Sequence, residues 1–553
     1  MQVVHKQKIS VMFGLCGIQI CKQKMIILLI WVVVLIAVVV LYLRQVYSTF
    51  SRHGIKHFKP LPLLGNMGKI LFRLDHMAYD LCHLYNSFPE ERFVGRFEFL
   101  NEVVVLRDLE LVKKITVKDF EYFPDHRNFE MDSFFGRSLF LLKGQEWKDM
   151  RSTLSPAFTS SKIRLMVPFM VEVGDQMITS LKQKIKNSGV DYIDMECKDL
   201  TTRYANDVVA SCAFGLKVDS LNDENNQFYK MGKTATNFSF RQVIMFFLLI
   251  NAPKLTKILK WDILSDATKN FFTNLVLDTM KDREMRHLIR PDMIHLLMEA
   301  KKGKLTHEDT KVNDEAAGFA TVEESSLGKK TITREWADRD LVAQAFLFFL
   351  AGFETISSSM SFLLYELAVN PDVKERLMQE IKEHDAKNGG KFDFNSIQNM
   401  TYLDMVVSEV LRLWPPVVAM DRQCNRDYNL GKPNKTAEKD FILRKGVGIM
   451  IPAFAFHRDP EYFPEPEKFN PERFSEENKH KINVLSYMPF GFGPRNCIGS
   501  RFALCELKVM VYQLLRHMEV SPCEKTCIPA KLANDNFNIR LKGGHWLRCR
   551  LRE

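Results

Sequence analysis

The chemistry in this chain is concentrated near its C-terminus, in Phe490-Gly491-Phe492-Gly493-Pro494-Arg495-Asn496-Cys497-Ile498-Gly499. Phe, Gly, Arg, Cys and Gly occupy relative positions 1, 4, 6, 8 and 10 of that stretch. Ordinary residue frequencies produce such a match by chance in about one chain in ten thousand. The residue types suit a thiolate that must approach a metal without obstruction. Glycines allow a tight turn and bring backbone N–H groups toward the sulfur, where they tune its electron donation. The fork of Arg495 matches a carboxylate. A helix is predicted over Ser500 to Arg516, and the positive end of its dipole favours a thiolate. The plainer alternative is a Gly-rich turn around a buried Cys.

Two further pairs stand at helical spacings. Glu409 and Arg412 are three apart, so their charges can meet on one face. Trp147 and Arg151 are four apart, and one indole N–H with one guanidinium fork can clamp a carboxylate. Each pair alone also fits an ordinary amphipathic helix. Ala351-Gly352-Phe353-Glu354-Thr355 is different, because an acid and a hydroxyl lie within an apolar run. Buried polar groups need partners or a purpose. They are either a catalytic acid–hydroxyl pair or a Gly kink whose Thr bonds back to the preceding turn.

Together these motifs resemble the cytochrome P450 family in its microsomal class. Glu409-Val410-Leu411-Arg412 is followed by Pro415-Pro416, and Pro471-Glu472-Arg473-Phe474 lies between that pair and Cys497. Leu154-Ser155-Pro156-Ala157-Phe158-Thr159-Ser160 and Tyr487-Met488-Pro489 are similar to the same branch. The run from Trp414-Pro415-Pro416 through Asp427-Tyr428-Asn429-Leu430 resembles its insect detoxification members.

The resemblance implies a mainly α fold with small β-sheets, preceded by one N-terminal transmembrane helix. It implies haem b with Cys497 as the ligand to iron, a thiolate that favours oxygen–oxygen cleavage. Phe490 would lie in the haem loop. Trp147, Arg151, Arg422 and Arg495 would contact the haem propionates, with Arg127 a weaker candidate. Glu409, Arg412 and Arg473 would form a buried structural network needed for haem incorporation, and losing one member costs roughly 3–5 kcal/mol. Gly352 would leave space beside the iron, Thr355 would hydrogen-bond dioxygen or a water, and Glu354 would relay protons. The pocket wall is expected near Phe129 to Phe140, around Phe238 to Leu249, and at Phe346, Phe349 and Ala351. All three are apolar, which implies a lipophilic substrate. Xenobiotics are the first class expected, and an endogenous steroid, terpenoid or fatty acid the second.

The elements that must position these residues are partly legible. Met25 to Leu43 is uncharged over 19 residues, about 28 Å as a helix, close to a bilayer core. It is read as a retained anchor at 25–43, after an extension at 1–24. Flanking Lys and Arg are nearly balanced across it, and starting at Met25 would leave only the downstream charges, favouring a cytosolic body. A basic, proline-rich connector follows at 44–66, where Pro60 and Pro62 stiffen the chain. The catalytic domain is 67–553. A long helix is predicted from near Thr333 to Ala368, ended by Asn370-Pro371. Its middle, Leu341 to Ile356, is apolar almost all round, as in a helix at the centre of a large protein. Lys301 to Lys330 is polar and reads as an exposed loop. Phe93 to Val105 is strand-like.

Composition excludes other classes. Eleven cysteines show no CxxC pair and no disulfide framework, so structural zinc or an oxidised scaffold is not expected. The net charge of +10 carries no run of five basic residues, which argues against nucleic acid. No GxGxxG or Walker-type loop is present, so flavin and nicotinamide must act from another protein. The resemblance implies the NADPH-dependent cytochrome P450 reductase of the endoplasmic reticulum, with cytochrome b5 as a further donor. Lys148, Arg495 and Lys508 could dock an acidic flavoprotein, or be ordinary solvated charge. Two competing functions are a haem-thiolate isomerase that needs no external electrons, and a non-catalytic haem or lipophile carrier.

Overall fold

In the computed structural model the described residues are 2–552 apart from 128–130, 132, 237–239, 260, 304–317, 323–335, 390–391 and 535–537. Among the described residues the fold is mostly helical with three small sheets. The first helix runs Gln2–Tyr47. Its segment Gln23–Tyr47 is long and apolar enough to cross a membrane and is almost wholly outside the body. The helix continues through 24/25 without a break, and its end at Tyr47 lies inside the stretch expected to be connector.

The strand-like run is a hairpin, Phe93–Glu98 with Asn101–Leu106. Alternate burial cannot explain it, because every residue of the first strand is buried. It is covered on both faces and joins Gly448–Ile451 in parallel, and that strand pairs antiparallel with Met420–Gln423. This four-stranded sheet carries Arg422 to the cavity edge. A second sheet orders Tyr192–Glu196, Trp546–Leu551 and Met518–Ser521.

The long central helix has three parts. Asp338–Ala351 is α-helical, Gly352–Ile356 is a π-turn, and Ser357–Val369 resumes the α-helix. Thr333, its expected start, lies outside the described residues. Asn370 closes it, and Pro371 opens the next helix at the position where a missing N–H is harmless. Two-thirds of its most apolar window is buried within the body, so it is a core helix. The helices Cys197–Val209, Thr401–Leu413 and Ser500–His517 pack around it.

Part of the stretch expected to be an exposed loop is docked. Phe319 lays its ring edge-on against Phe474 at 5.0 Å, and its N–H donates to Asp404. Ala320 is buried. The rest of that stretch, 304–317 and 323–330, lies outside the described residues.

Candidate active site

The cysteine loop is shaped by residues that only glycine can replace. Gly491 and Gly493 have φ of +76° and +69°. A Cβ on Gly493 would lie 1.9 Å from the Thr116 carbonyl oxygen, so the position has neither the dihedral freedom nor the space for a side chain. The Cys497 N–H donates to the Phe490 oxygen at 2.8 Å, closing the turn. Cys497 then stands just ahead of Ser500–His517 and is in no disulfide.

Cys497 opens onto a cavity of about 420 Å³. Phe490, Ile498, Phe502 and Ala503 line it beside the thiol. Leu347, Phe348, Ala351, Gly352, Thr355 and Ile356 supply a wall from the central helix. A polar edge consists of Trp147, Arg151, His126, Asp421, Arg422 and Arg495. The expected residues Cys497, Phe490, Trp147, Arg151, Arg422, Arg495, Gly352 and Thr355 therefore converge on one space.

The polar edge is strongly organised. Arg151 donates to the Asn496 backbone oxygen and side-chain oxygen, both at 2.7 Å. Arg495 lies over the Trp147 ring at 4.0 Å and donates to the Pro124 and Leu142 oxygens and to Asp125. Burial, with Arg422 alongside, pulls the Arg495 guanidinium down to about 9. Arg422 is buried, and among the described residues its Nε finds no partner. Burial lowers its affinity for a proton as well. A buried guanidinium whose donors are only partly met, with Asp421 as a counter-charge, is costly, so this edge suits an anionic group entering from the cavity. Together with a thiol aimed into an apolar slot, the donor set fits a haem bearing two carboxylates.

Sequence reasoning missed three members of this edge. Asn496 orients Arg151, and its only signal was adjacency to Cys497. His126 Nδ1 donates to Asp421 Oδ1 at 2.8 Å, and its ring stacks on Phe140 at 4.5 Å. Asp421 also accepts the Arg127 N–H. Burial alone would raise the Asp421 carboxyl, but His126 and Arg127 hold it well below the usual range. Arg127 itself points its guanidinium to Glu98 at 2.7 Å and does not line the cavity.

On the central helix, Thr355 donates its hydroxyl to the Ala351 oxygen at 2.5 Å. Thr355 also lines the cavity, and a hydroxyl that donates can still accept. Glu354 does not line the cavity. It sits between Lys198 at 3.3 Å and Arg540 at 3.1 Å, nine-tenths buried. Burial, partly offset by Glu354, draws Lys198 down to about 8. A Cβ on Gly352 would meet Val209 Cγ2 at 2.7 Å, so this glycine also lets Cys197–Val209 pack close to the central helix.

Behind the loop, Arg412 forks onto Glu409 at 2.7 and 2.9 Å, both fully buried. Arg473 reaches Glu409 at 3.3 Å, and the Asn470 N–H donates to it at 2.8 Å. The three expected residues are thus in one network.

Several expectations need correction. Phe346 and Phe349 do not line the cavity. They are fully buried in a ring cluster with Phe272, Phe134 and Phe228, and Leu347 and Phe348 take the cavity wall. Of the region 129–140, Leu139 and Phe140 border the cavity, and Phe129 lies outside the described residues. No described residue of 238–249 borders it: Val243 and Phe247 pack instead on Met67, Ile70 and Leu71. Phe238 lies outside the described residues. Lys508 cannot dock a partner, since it is fully buried 2.8 Å from Asp404. Lys148 is paired with Glu121 at 2.9 Å.

The family model for cytochrome P450 matches residues 55–546. The chain is 45% identical to Cytochrome P450 9e2 of Blattella germanica over 91% of this chain and 93% of that protein. It is 43% identical to Probable cytochrome P450 9f2 of Drosophila melanogaster over 90% and 94%. It is 34% identical to Cytochrome P450 6k1 of Blattella germanica over 92% and 94%.

Proposed function

The chain belongs to the cytochrome P450 family, and from that premise we propose that it is a membrane-anchored haem-thiolate monooxygenase with Cys497 as the iron ligand. It inserts one oxygen atom of dioxygen into lipophilic molecules, xenobiotics first, using electrons that a reductase draws from NADPH. The observation that carries this is the cavity itself: an apolar slot with a thiol at the N-terminal end of a helix and a buried, partly unpaired guanidinium at its edge. When bound, haem supplies the redox chemistry that activates dioxygen for insertion into a C–H bond.

The chain's own residues do the rest. Trp147, Arg151, Arg422 and Arg495 orient the carboxylates and exclude water from that edge. Leu347, Phe348 and Ala351 present an apolar surface that holds a lipophilic substrate. Thr355 accepts a hydrogen bond from a cavity water through its oxygen while its proton is parked on Ala351. Glu354, held by Lys198 and Arg540, carries protons from the half-exposed Arg540 side of the helix toward Thr355. Glu354 and Thr355 both lie in the π-turn Gly352–Ile356, a feature frequent at functional sites. Glu409, Arg412 and Arg473 hold the fold beneath the loop. In this reading the body lies on the cytosolic face of the endoplasmic reticulum, with Gln23–Tyr47, long and apolar enough to cross a membrane, as its anchor.

Membranes carrying the full chain test this. The reduced, carbon-monoxide difference spectrum should show a red-shifted, thiolate-type Soret band, and NADPH with reductase should give oxygen-dependent product from a lipophilic probe. Cys497→Ala should abolish band and turnover while the protein stays in the membrane. Normal turnover by that variant would sink the assignment.

A further inference from the structure

His457 lies outside the cavity, yet both of its ring nitrogens are committed. It is fully buried at the end of the short helix Ala453–Phe456. Its Nδ1 is 3.0 Å from the Arg412 carbonyl oxygen, and its Nε2 is 2.8 Å from the Met488 N–H. A carbonyl only accepts and a backbone N–H only donates, so the ring carries its proton on Nδ1 and offers a lone pair at Nε2. The His457 carbonyl accepts from Arg412 Nη1 at 2.7 Å. Tyr487 stacks on the ring at 5.6 Å and donates its hydroxyl to the Ser408 oxygen.

Met488 begins the cysteine loop. Its carbonyl accepts the Gly491 N–H at 3.2 Å, and the Phe490 carbonyl accepts the Cys497 N–H at 2.8 Å. A continuous set of hydrogen bonds therefore runs from the buried Glu409–Arg412 pair through one imidazole into the turn that presents the thiol. The far end of the loop is held separately by Arg151 on Asn496.

Resting on the Cys497 assignment above, we infer that His457 is a positioning residue. It transmits the fixed geometry of Arg412 to the Met488 backbone and so sets the approach of the Cys497 sulfur. No other side chain repeats both contacts. Glutamine can place an acceptor where Nε2 stands, and asparagine can place a donor where Nδ1 stands, but neither does both.

The test uses the full chain in membranes, with the reduced carbon-monoxide spectrum and the haem reduction potential as readouts. His457→Phe keeps a ring against Tyr487 and removes both nitrogens, leaving the Met488 N–H buried and unpaired. Its thiolate-type band should decay about tenfold faster to the shorter-wavelength form, with a shifted potential. His457→Gln should recover most of the wild-type lifetime, and His457→Asn should not. Phe349→Ala, a buried change remote from the loop, should lower the melting temperature without altering band type or potential. Wild-type lifetime and potential in His457→Phe would overturn the inference. Equal behaviour of the Gln and Asn variants would do the same, and that comparison decides should the Phe variant not fold. A wild-type chain that never shows the thiolate-type band would instead remove the Cys497 assignment, and this inference with it.

Discussion

Thr355 is the residue where two readings of the same side chain meet. Its hydroxyl bonds back to Ala351, as a helix-bending threonine does. It also borders the cavity from within a π-turn, a feature frequent at functional sites. The back-bond does not by itself exclude a role in proton delivery, because it uses the hydroxyl as a donor and a hydroxyl oxygen can also accept. Replacing Thr355 by Ala removes that oxygen from the wall but no buried ion pair. The expected outcome is uncoupling: the peroxide released per NADPH consumed rises severalfold, while the thiolate-type spectrum is kept. Coupling equal to wild type would reject the proton role and leave the ligand assignment standing. Glu354 differs, since its removal strands Lys198 in a buried site. Its variants mix proton supply with loss of folding and are poorer probes.

At the scale of elements, the central helix divides its phenylalanines by register. Phe346 and Phe349 sit in the aromatic cluster, whereas Phe348 meets Phe158 at the cavity wall. Phe349→Ala should cost about 3–5 kcal/mol, as large-to-small changes in a packed core do. Phe348→Ala should cost far less and should change the affinity and spectral type of bound azole or lipophilic probes. Denaturant melts and probe titrations on the two variants separate them, and equal stability losses would show the register to be wrong. The helix was legible in the sequence because an apolar run ended by Asn370-Pro371 has few alternatives. Its face was not, because a helix apolar all round carries no periodic signal to say which Phe meets a cavity. The cysteine loop, the Glu409–Arg412 pair and the placing of Trp147 and Arg151 at one cavity edge were legible because fixed spacings and special backbone needs constrain residue type. His126, Asp421 and His457 were not. The His126–Asp421 pair spans 295 residues and the partners of His457 stand 31 and 45 residues away, and a lone His or Asp in sequence has no local mark of such a bond. The docked Phe319 was hidden in the same way, by the polar composition around it.

At the scale of the whole molecule, the buried titratable groups pull stability in opposite directions with pH. His457 and His545 are driven by burial from 6.5 to about 3. The unfolded chain therefore takes up protons below pH 6.5 that the folded chain refuses, and each histidine removes stability as pH falls from 6.5 toward about 3. Three buried carboxyls act oppositely. Burial raises Glu366 from 4.5 to about 7, Asp207 from 3.8 to about 6, and Glu506 well above 4.5. Between its unfolded and folded values each carboxyl binds a proton only in the folded state, so it adds stability as pH falls. Across roughly pH 4.5 to 6.5 the two sets are similar in number and slope and largely cancel. Below pH 4.5 Glu366 and Glu506 have nothing further to add, the histidines still cost, and Asp421 adds a cost as pH falls through 3.8, where the unfolded chain takes up a proton that the ion-paired folded carboxylate refuses. The melting temperature should therefore be nearly flat from about pH 4.5 to 6.5 and fall steeply below it. Glu506 has both oxygens buried without a partner among the described residues, so Glu506→Gln isolates its share. Relative to wild type, that variant should lose stability as pH falls from 6.5 toward 4.5, because it lacks the proton that Glu506 takes up only in the fold, and should gain above pH 7, where wild type must keep a proton on a group the unfolded chain has ionised. Parallel curves for the two proteins would mean that Glu506 is ionised in the fold, and that some cation or water reaches it.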